Sequence, residues 1–163
     1  MRKRWLMVTC LLLVSLLFTA CGADTEESAE LPAPSAKEVL VLLNDATELD
    51  KSIYDQDGLT TAQLYDFYKP YFTKSYVDEV IIPGGNLMQN DGKWVVAFQD
   101  TEPLEGTVII PPLDEAEVRV TPRDVDGEVN VRYEVPEELY PAHTQKLTLV
   151  FKDGSWKVNS LEW

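Results

Sequence analysis

The chain has too few cysteine, histidine and basic residues for several classes of function. Among its 163 residues, only Cys10 and Cys21 are cysteine and only His143 is histidine. Disulfide scaffolds, Cys/His zinc sites and Cys–His nucleophiles all need more of these residues. Lysine and arginine number 14 against 28 acidic residues, which gives a net charge of −14. Because this charge repels phosphate backbones and anionic lipids, we expect no nucleic-acid partner and no electrostatic attachment to a membrane.

The chain also lacks an apolar run long enough to cross a membrane comfortably, which takes about 20 residues. The longest run, residues 6–18, follows a basic segment at residues 2–4 and precedes Thr19-Ala20-Cys21. This order of charged, apolar and small residues is typical of a secretory signal. The cysteine directly after Ala20 resembles the lipobox of bacterial lipoproteins, although Phe18 stands where leucine is usual.

The lipobox resemblance implies that residues 1–20 are a lipoprotein signal peptide and that the thiol of Cys21 receives a diacylglyceryl group. Two acyl chains hold a protein at a membrane where one is marginal. We therefore expect the protein on the outer face of the cell membrane, anchored through Cys21. Removal of the signal would leave 11 basic and 28 acidic residues, a net charge of −17, and no free thiol. The alternative is an ordinary signal peptide followed by a chance cysteine.

Residues 21–36 are predicted to be the lipidated cysteine and a disordered acidic tether. From residue 22 onward this segment has four acidic residues, two prolines and one large apolar residue, Leu31. Such a composition buries too little apolar surface to order itself. Residues 37–163 are predicted to form one domain.

The first part of that domain has helical patterns. A capping box at Ser35 and Glu38 precedes apolar residues at helical spacing up to Leu49. A second helix starts near Thr60 and should end at Pro70, which has no N–H to donate. A third short helix is expected from about Thr73 to Ile81.

Beyond residue 90 the apolar period changes from 3.6 to 2, which is typical of strands. Short strands are predicted at residues 94–98 and 107–110, and longer alternating runs follow. Turns are predicted at three Asp-Gly pairs: Asp91-Gly92, Asp126-Gly127 and Asp153-Gly154. The predicted fold class is α+β, with N-terminal helices packed on one face of a curved antiparallel β-meander.

Two groups of residues are candidates for binding. Acidic residues cluster near the predicted strand ends, where their field would steer a basic partner: Asp114, Glu115, Glu117, Asp124, Asp126 and Glu128. The second group is aromatic and would line a groove unless it belongs to the core: Tyr65, Tyr68, Tyr71 and Tyr76. No motif marks a catalytic, metal or cofactor site, so we expect a non-enzyme. An enzyme that uses two carboxylates stays open as an alternative, because sequence does not give their separation.

The segment from Leu64 to Ile81 resembles the IseA-type inhibitors of cell-separation endopeptidases, a family of small secreted proteins of Gram-positive bacteria. The likeness includes Tyr71-Phe72-Thr73 between two helices and short motifs downstream: Gly92-Lys93-Trp94, Ile109 to Leu113, and Gly154-Ser155-Trp156-Lys157-Val158. The last motif is shared with many NTF2-like and cystatin-like domains.

The resemblance implies a helices-then-sheet fold and a non-catalytic inhibitor of D,L-endopeptidases that cut peptidoglycan stem peptides. An acidic loop, Pro112–Glu117 or Asp124–Glu128, would cover the catalytic groove of a cell-wall hydrolase with a basic surface. The lipid anchor departs from the family, whose members are secreted free. The alternative function is an NTF2-like pocket that binds a small molecule or a peptide.

Overall fold

A computed structural model describes residues 31–84, 86–97, 109–137 and 141–162 of the chain. The predicted signal peptide, Cys21 and the first part of the predicted tether lie outside these ranges. Leu31–Ser35 form a coil in which Pro34 is buried. Pro34, which belongs to the predicted tether, therefore packs against the domain.

The first helix, α1, spans Ala36–Lys51 and begins at the predicted capping box. The Ser35 hydroxyl accepts from the Glu38 N–H at 3.2 Å, and the Glu38 carboxylate accepts from the Ser35 N–H at 2.7 Å. These bonds satisfy N–H groups that have no partner within the helix. The helix turns Val39, Leu43 and Ala46 into the core. A single 3₁₀ turn, Ser52–Asp55, follows it.

The second helix, α2, spans Thr61–Tyr68 and has its own capping box, made by Thr60 and Gln63. It ends before Pro70, as predicted. The third helix, α3, has only one α-helical segment, Lys74–Tyr76, and continues as a π-helical turn, Val77–Ile81. The sequence predicts a third helix here, but it does not predict that the second half of this helix is π-helical.

The described residues after α3 form six strands: β1 Leu87–Asn90, β2 Lys93–Val96, β3 Arg119–Pro122, β4 Glu128–Val135, β5 His143–Lys152 and β6 Ser155–Glu162. The last four form an antiparallel meander in the order β3-β4-β5-β6. An extra residue in β6 breaks the β5–β6 register between Thr148 and Leu149, and a bulge of this kind bends a sheet. The predicted curved meander is thus confirmed for these four strands.

All three predicted Asp-Gly turns join neighbouring strands. At two of them both residues have positive φ, 48° and 76° at Asp91-Gly92 and 55° and 81° at Asp153-Gly154. Such turns match the twist of a two-residue hairpin. At the third turn only Gly127 has positive φ, 74°, because this loop is longer.

Two details of the predicted sheet are wrong. Strands β1 and β2 form a separate two-stranded sheet instead of extending the meander. It is extended by Leu59, which exchanges backbone hydrogen bonds of 2.8 and 2.7 Å with Trp94. Ile109 and Ile110 are not in a strand, because the Ile110 N–H donates to the side chain of Gln145 instead of a ladder partner. Phe98 and residues 101–108 lie outside the described ranges.

The free edge of β6 is covered by the Tyr71–Thr73 segment between α2 and α3. Val158 donates to the Tyr71 carbonyl at 2.8 Å and accepts from the Thr73 N–H at 3.0 Å. The Lys157 ammonium donates to the carbonyls of Lys69 and Pro70, just after the end of α2. These contacts fix the helices to the sheet and give the Tyr-Phe-Thr motif a structural role.

The helices pack on one face of the meander, which confirms the α+β class. Alternate residues of β4 and β5 enter this interface, as the inward face of a half-buried strand requires. The core includes Val39, Leu43, Leu64, Tyr68, Tyr76, Val77, Val129, Val131, Tyr133, Leu147, Leu149 and Val158. The residues between them on β4 point to the opposite, solvent-facing side of the sheet.

Candidate functional site

The six acidic candidates lie in two loops at opposite ends of β3 and do not form a single patch. Asp114, Glu115 and Glu117 precede the strand, whereas Asp124 and Asp126 follow it. All five are exposed. The two loops are separated by the four residues of β3, a strand about 13 Å long at 3.3 Å per residue. Each loop therefore presents its own acidic surface.

The first acidic loop, Pro112–Glu117, is held by its own backbone and exposes a large apolar side chain. Asp114 Oδ1 accepts from the Ala116 N–H at 2.9 Å and caps the 3₁₀ turn Glu115–Glu117. Leu113, directly before this cap, is 81% exposed. A leucine at this exposure, beside a fixed turn and three carboxylates, is the most solvent-accessible large apolar residue in the described ranges.

The second acidic loop, Asp124–Glu128, is partly neutralised. The Arg123 guanidinium lies 3.0 Å from a carboxylate oxygen of Glu128, and the Arg123 N–H donates to the Glu128 carbonyl. The Glu128 carboxylate is therefore half-buried and already paired with Arg123. Asp124 and Asp126 are exposed and more accessible to a binding partner. Val125, between those two aspartates, is 53% exposed.

Two of the four aromatic candidates belong to the core. Tyr68 and Tyr76 are 0% and 1% exposed, and Phe72 lies between their rings at centroid distances of 5.6 and 5.0 Å. Burial is the main cause that raises the pKa of both tyrosines. The prediction that these two residues line an open groove is therefore wrong, because the helical face that carries them is the inward one.

Tyr65 lies at the surface, where it contacts Asp78 and Lys74 of the neighbouring helix α3. Its hydroxyl donates to Asp78 Oδ1 at 2.6 Å, and the Lys74 ammonium sits 4.4 Å above its ring while it pairs with Asp78 Oδ2 at 2.8 Å. The hydrogen bond from Lys74, and then that from Tyr65, hold the pKa of Asp78 below its usual value. This cluster fixes α3 to α2.

Tyr71 lines an open groove. The groove has a volume of about 400 Å³ and lies between the first half of α1 and the β5–β6 hairpin. Apolar side chains dominate its wall, including Val41, Leu42, Leu149 and Trp156. Pro34 closes one end of it, and Lys37, Glu38 and Asp45 also border it. A groove of this size and composition suits a small apolar ligand or a peptide side chain.

The solvent-facing side of the meander carries a basic surface that we did not predict from the sequence. Arg119 of β3 is directly opposite Arg132 of β4, which is directly opposite Lys146 of β5. We call these three residues the basic row. With Arg123 they contribute to the lining of a shallow concavity of about 420 Å³. Arg119 and Arg132 are 13 positions apart in the sequence, and Arg132 and Lys146 are 14 apart. Their proximity can therefore be recognised only when the strand register is known.

Neither a metal cluster nor a membrane-spanning segment occurs in the part of the chain that the structure describes. No three histidine, cysteine or acidic side chains there are arranged to hold a metal ion. None of the helices in the same ranges combines the length and apolarity needed to cross a bilayer. The predicted lipidation site, Cys21, lies outside these ranges.

Comparison with known proteins adds little to these observations. No protein-family model matches the chain, and no curated protein matches it. Among solved structures, the chain is similar to a protein of unknown function from Bacteroides thetaiotaomicron, with 16% sequence identity and a TM-score of 0.33. The match covers 78% of this chain and 91% of that one. A likeness of this size carries no argument about either protein's function.

Proposed function

We propose that this protein is a lipoprotein, anchored through Cys21 to the outer face of the cell membrane, whose domain is a non-catalytic protein-binding module. The contact surface in this proposal is the first acidic loop, Pro112–Glu117. The observation that supports it best is the 81% exposure of Leu113 beside a capped turn.

An exposed leucine surrounded by carboxylates has the arrangement of an apolar anchor within a polar rim. Interfaces gain most of their free energy from a few apolar anchors that fill pockets in the partner, while the surrounding polar rim adds little. Carboxylates around the anchor raise the association rate with a basic partner and select against acidic ones. The Asp114 cap holds the backbone in place before binding, which lowers the entropic cost of association.

The partner in this proposal is a secreted D,L-endopeptidase that cuts peptidoglycan stem peptides. The support for this choice is the resemblance of residues 64–81 to IseA-type inhibitors and the basic partner surface that the acidic loop favours. Leu113 would enter the hydrolase's substrate groove, and the carboxylates of Asp114 and Glu115 would contact its basic margin.

The experiment measures inhibition of purified D,L-endopeptidases by the wild-type protein and by Leu113→Ser, at low and high salt. Loss of a buried anchor of about 1.4 kcal/mol or more weakens binding at least about tenfold. Met88→Ser is the matched control, because Met88 is also exposed, at 49%, but lies on β1 outside the loop. The wild type and the control should inhibit equally well, and less strongly at high salt.

A wild-type protein that inhibits no endopeptidase at either salt concentration overturns the choice of partner. Inhibition that Leu113→Ser and Met88→Ser reduce to the same extent overturns the choice of surface. Hydrolysis of a wall peptide by the purified protein alone would overturn the non-catalytic role.

The groove beside Tyr71 favours a second function, an NTF2-like pocket for a small molecule or a peptide. Binding of an anilinonaphthalene sulfonate dye to the protein tests this function. Val41→Glu, which places a negative charge in the groove wall and repels the sulfonate of the dye, should abolish the fluorescence increase. Val125→Glu is matched in exposure, 53% against 52% for Val41, and lies outside the groove, so it should leave the increase unchanged. An equal response of the two variants rules this function out.

A further inference from the structure

We propose that the solvent-facing side of the meander is a binding site for a compact ligand that carries two or more phosphate groups. The site consists of the basic row, Arg119, Arg132 and Lys146, together with Arg123. This proposal is independent of the acidic loop and of its partner.

The arginines that follow the predicted signal peptide are concentrated on one surface of the domain. Only three arginines follow the predicted signal peptide, and all three are on this side of one sheet, in a chain with twice as many acidic as basic residues. Solubility does not require this arrangement, because lysine and arginine scattered over the surface would serve equally well. Arginine differs from lysine in presenting a planar fork of donors that matches phosphate oxygens.

The register of the strands brings the charges together at a cost. Directly opposite residues in an antiparallel pair have Cβ atoms about 5 Å apart, and like charges at such positions destabilise a sheet. The Arg119–Arg132 and Arg132–Lys146 pairs are both of this kind. A bound anion would relieve the repulsion at both positions.

The neighbouring protein groups neutralise these charges only in part. The Arg119 guanidinium donates to the carbonyls of Ala116 and Val118 at 2.6 and 3.2 Å, which holds it in place without cancelling its charge. Arg132 lies 3.9 Å from the exposed carboxylate of Glu134. Among the salt bridges of the described residues, none includes Lys146. Glu162 of β6 is directly opposite Lys146 and also lines the concavity. The three cations of the row thus have two carboxylates beside them, Glu134 and Glu162, and keep a net positive charge.

The surroundings favour phosphate groups over an acidic protein or a lipid surface. A second row of polar side chains, Thr121, Asn130 and Thr148, lies beside the basic row in register. Thr121 and Asn130 are exposed and offer a hydroxyl and an amide donor, whereas Thr148 is largely buried. Outward-facing side chains near the rows provide no large apolar anchor, which a protein partner would need. The acidic loops at both ends of β3 would be repelled by an extended anionic bilayer, whereas a compact ligand fits between them.

The test is calorimetric titration of the lipidated protein, in neutral-detergent micelles, with inorganic pyrophosphate and tripolyphosphate. We expect binding that weakens with salt, and at least a tenfold loss of affinity in the double variant Arg132→Gln/Lys146→Gln. The matched control, Lys51→Gln/Lys93→Gln, removes the same charge from residues outside the site and should bind as the wild type does. Citrate, a tricarboxylate of similar charge, should bind at least tenfold more weakly than pyrophosphate.

Thermal unfolding shows whether the double variant loses affinity because the binding site is lost or because the fold is destabilised. The double variant should melt at the same temperature as the wild type or higher, since it removes two like-charge pairs. Pyrophosphate should raise the melting temperature of the wild type and not that of the variant. Absence of pyrophosphate binding at low salt, an equal loss in the control, or citrate binding as tight as pyrophosphate overturns the proposal. It is also overturned if vesicles of anionic phospholipid bind through the basic row while pyrophosphate does not.

Discussion

The Tyr68 hydroxyl donates a 2.6 Å hydrogen bond to the Asp50 carboxylate, which joins the end of α1 to the end of α2. Burial raises the pKa of Asp50 above its usual value, and the hydrogen bond from Tyr68 offsets only part of that shift. The folded protein thus holds a carboxyl group that resists ionisation. Burial is the main cause that raises the pKa values of Tyr54 and Tyr76, and the charge of the nearby Asp50 raises both further.

The Asp50 carboxyl should make the stability of the fold depend on pH. Its folded pKa lies above the unfolded value of about 3.9, so its contribution is present below that pH and is lost as the pH rises through the folded pKa. Asp50→Asn removes this titration and keeps an oxygen that accepts from Tyr68. Urea unfolding at pH 4 and pH 7 should show the wild type losing free energy of unfolding relative to the variant. Asp45→Asn, exposed on the same helix, is the control, and a wild type that gains relative to Asp50→Asn would contradict the expectation.

Gln145 should be among the least replaceable polar residues in the core. It is 0% exposed, and its Oε1 accepts from the Tyr133 hydroxyl at 2.6 Å and from the Ile110 N–H at 3.2 Å. Gln145→Leu leaves one buried donor, the Tyr133 hydroxyl, and one partly buried donor, the Ile110 N–H, without this acceptor. It should cost about 2–4 kcal/mol of the free energy of unfolding. Tyr133→Phe removes one donor and should cost about 1 kcal/mol.

Chemical denaturation of both single variants and of the double variant measures the coupling. The double variant should cost less than the two single costs combined, because Tyr133→Phe removes one of the donors that Gln145→Leu leaves unpaired. A Gln145→Leu protein as stable as Tyr133→Phe would show that the hydrogen bonds contribute little.

Thr73, the third residue of the Tyr-Phe-Thr motif, should be needed for the junction between α3 and β6. Its hydroxyl accepts from the Tyr76 N–H at 3.2 Å and donates to Asn159 Oδ1 at 2.9 Å. Thr73→Ala should lower the free energy of unfolding by about 1–2 kcal/mol, since it removes a helix cap and a largely buried hydrogen bond. Thr73→Ser keeps the hydroxyl and should recover most of the loss in a urea titration. Equal losses in the two variants would assign the effect to the methyl group.

Cys21→Ser should release the protein from the membrane if the thiol carries the predicted lipid. We expect the variant in the soluble extracellular or washed fraction after cell fractionation, while the wild type sediments with membranes. Cys10→Ser, within the predicted signal, should behave as the wild type. A Cys21→Ser protein that still sediments with membranes contradicts lipidation at this residue.

The parts of the fold that sequence predicted well depend on contacts a few residues apart. Both capping boxes, the helix end before Pro70 and the three Asp-Gly turns follow from hydrogen bonding and φ preferences within a few residues. Capping at Ser35 and Thr60 was therefore visible without any knowledge of packing. Parts that depend on distant contacts were predicted poorly or missed.

The separate β1–β2 sheet and the irregular backbone at Ile110 are examples of features that depend on distant contacts. Ile110 donates to Gln145, 35 positions along the chain, and no local pattern predicts that pairing. The alternating pattern predicts that such strands have two different faces, but the strand register is needed to place Arg119 against Arg132 and Lys146. The aromatic cluster was ambiguous for a similar reason, since only packing separates the inward Tyr68 from the groove-lining Tyr71.

The contact of Leu31 with the β3–β4 turn fixes where the chain that leads back to Cys21 leaves the domain. A Leu31 methyl carbon lies 3.8 Å from where a Cβ on Gly127 would be, so the chain that leads back to Cys21 leaves the domain at this turn. The ten residue steps between Cys21 and Leu31 reach at most about 35 Å. A lipid on Cys21 would thus hold the Gly127 turn within about 35 Å of the bilayer. Because this reach exceeds the roughly 13 Å length of β3, Leu113 at the other end of the strand would be free to turn toward the wall and meet an incoming enzyme.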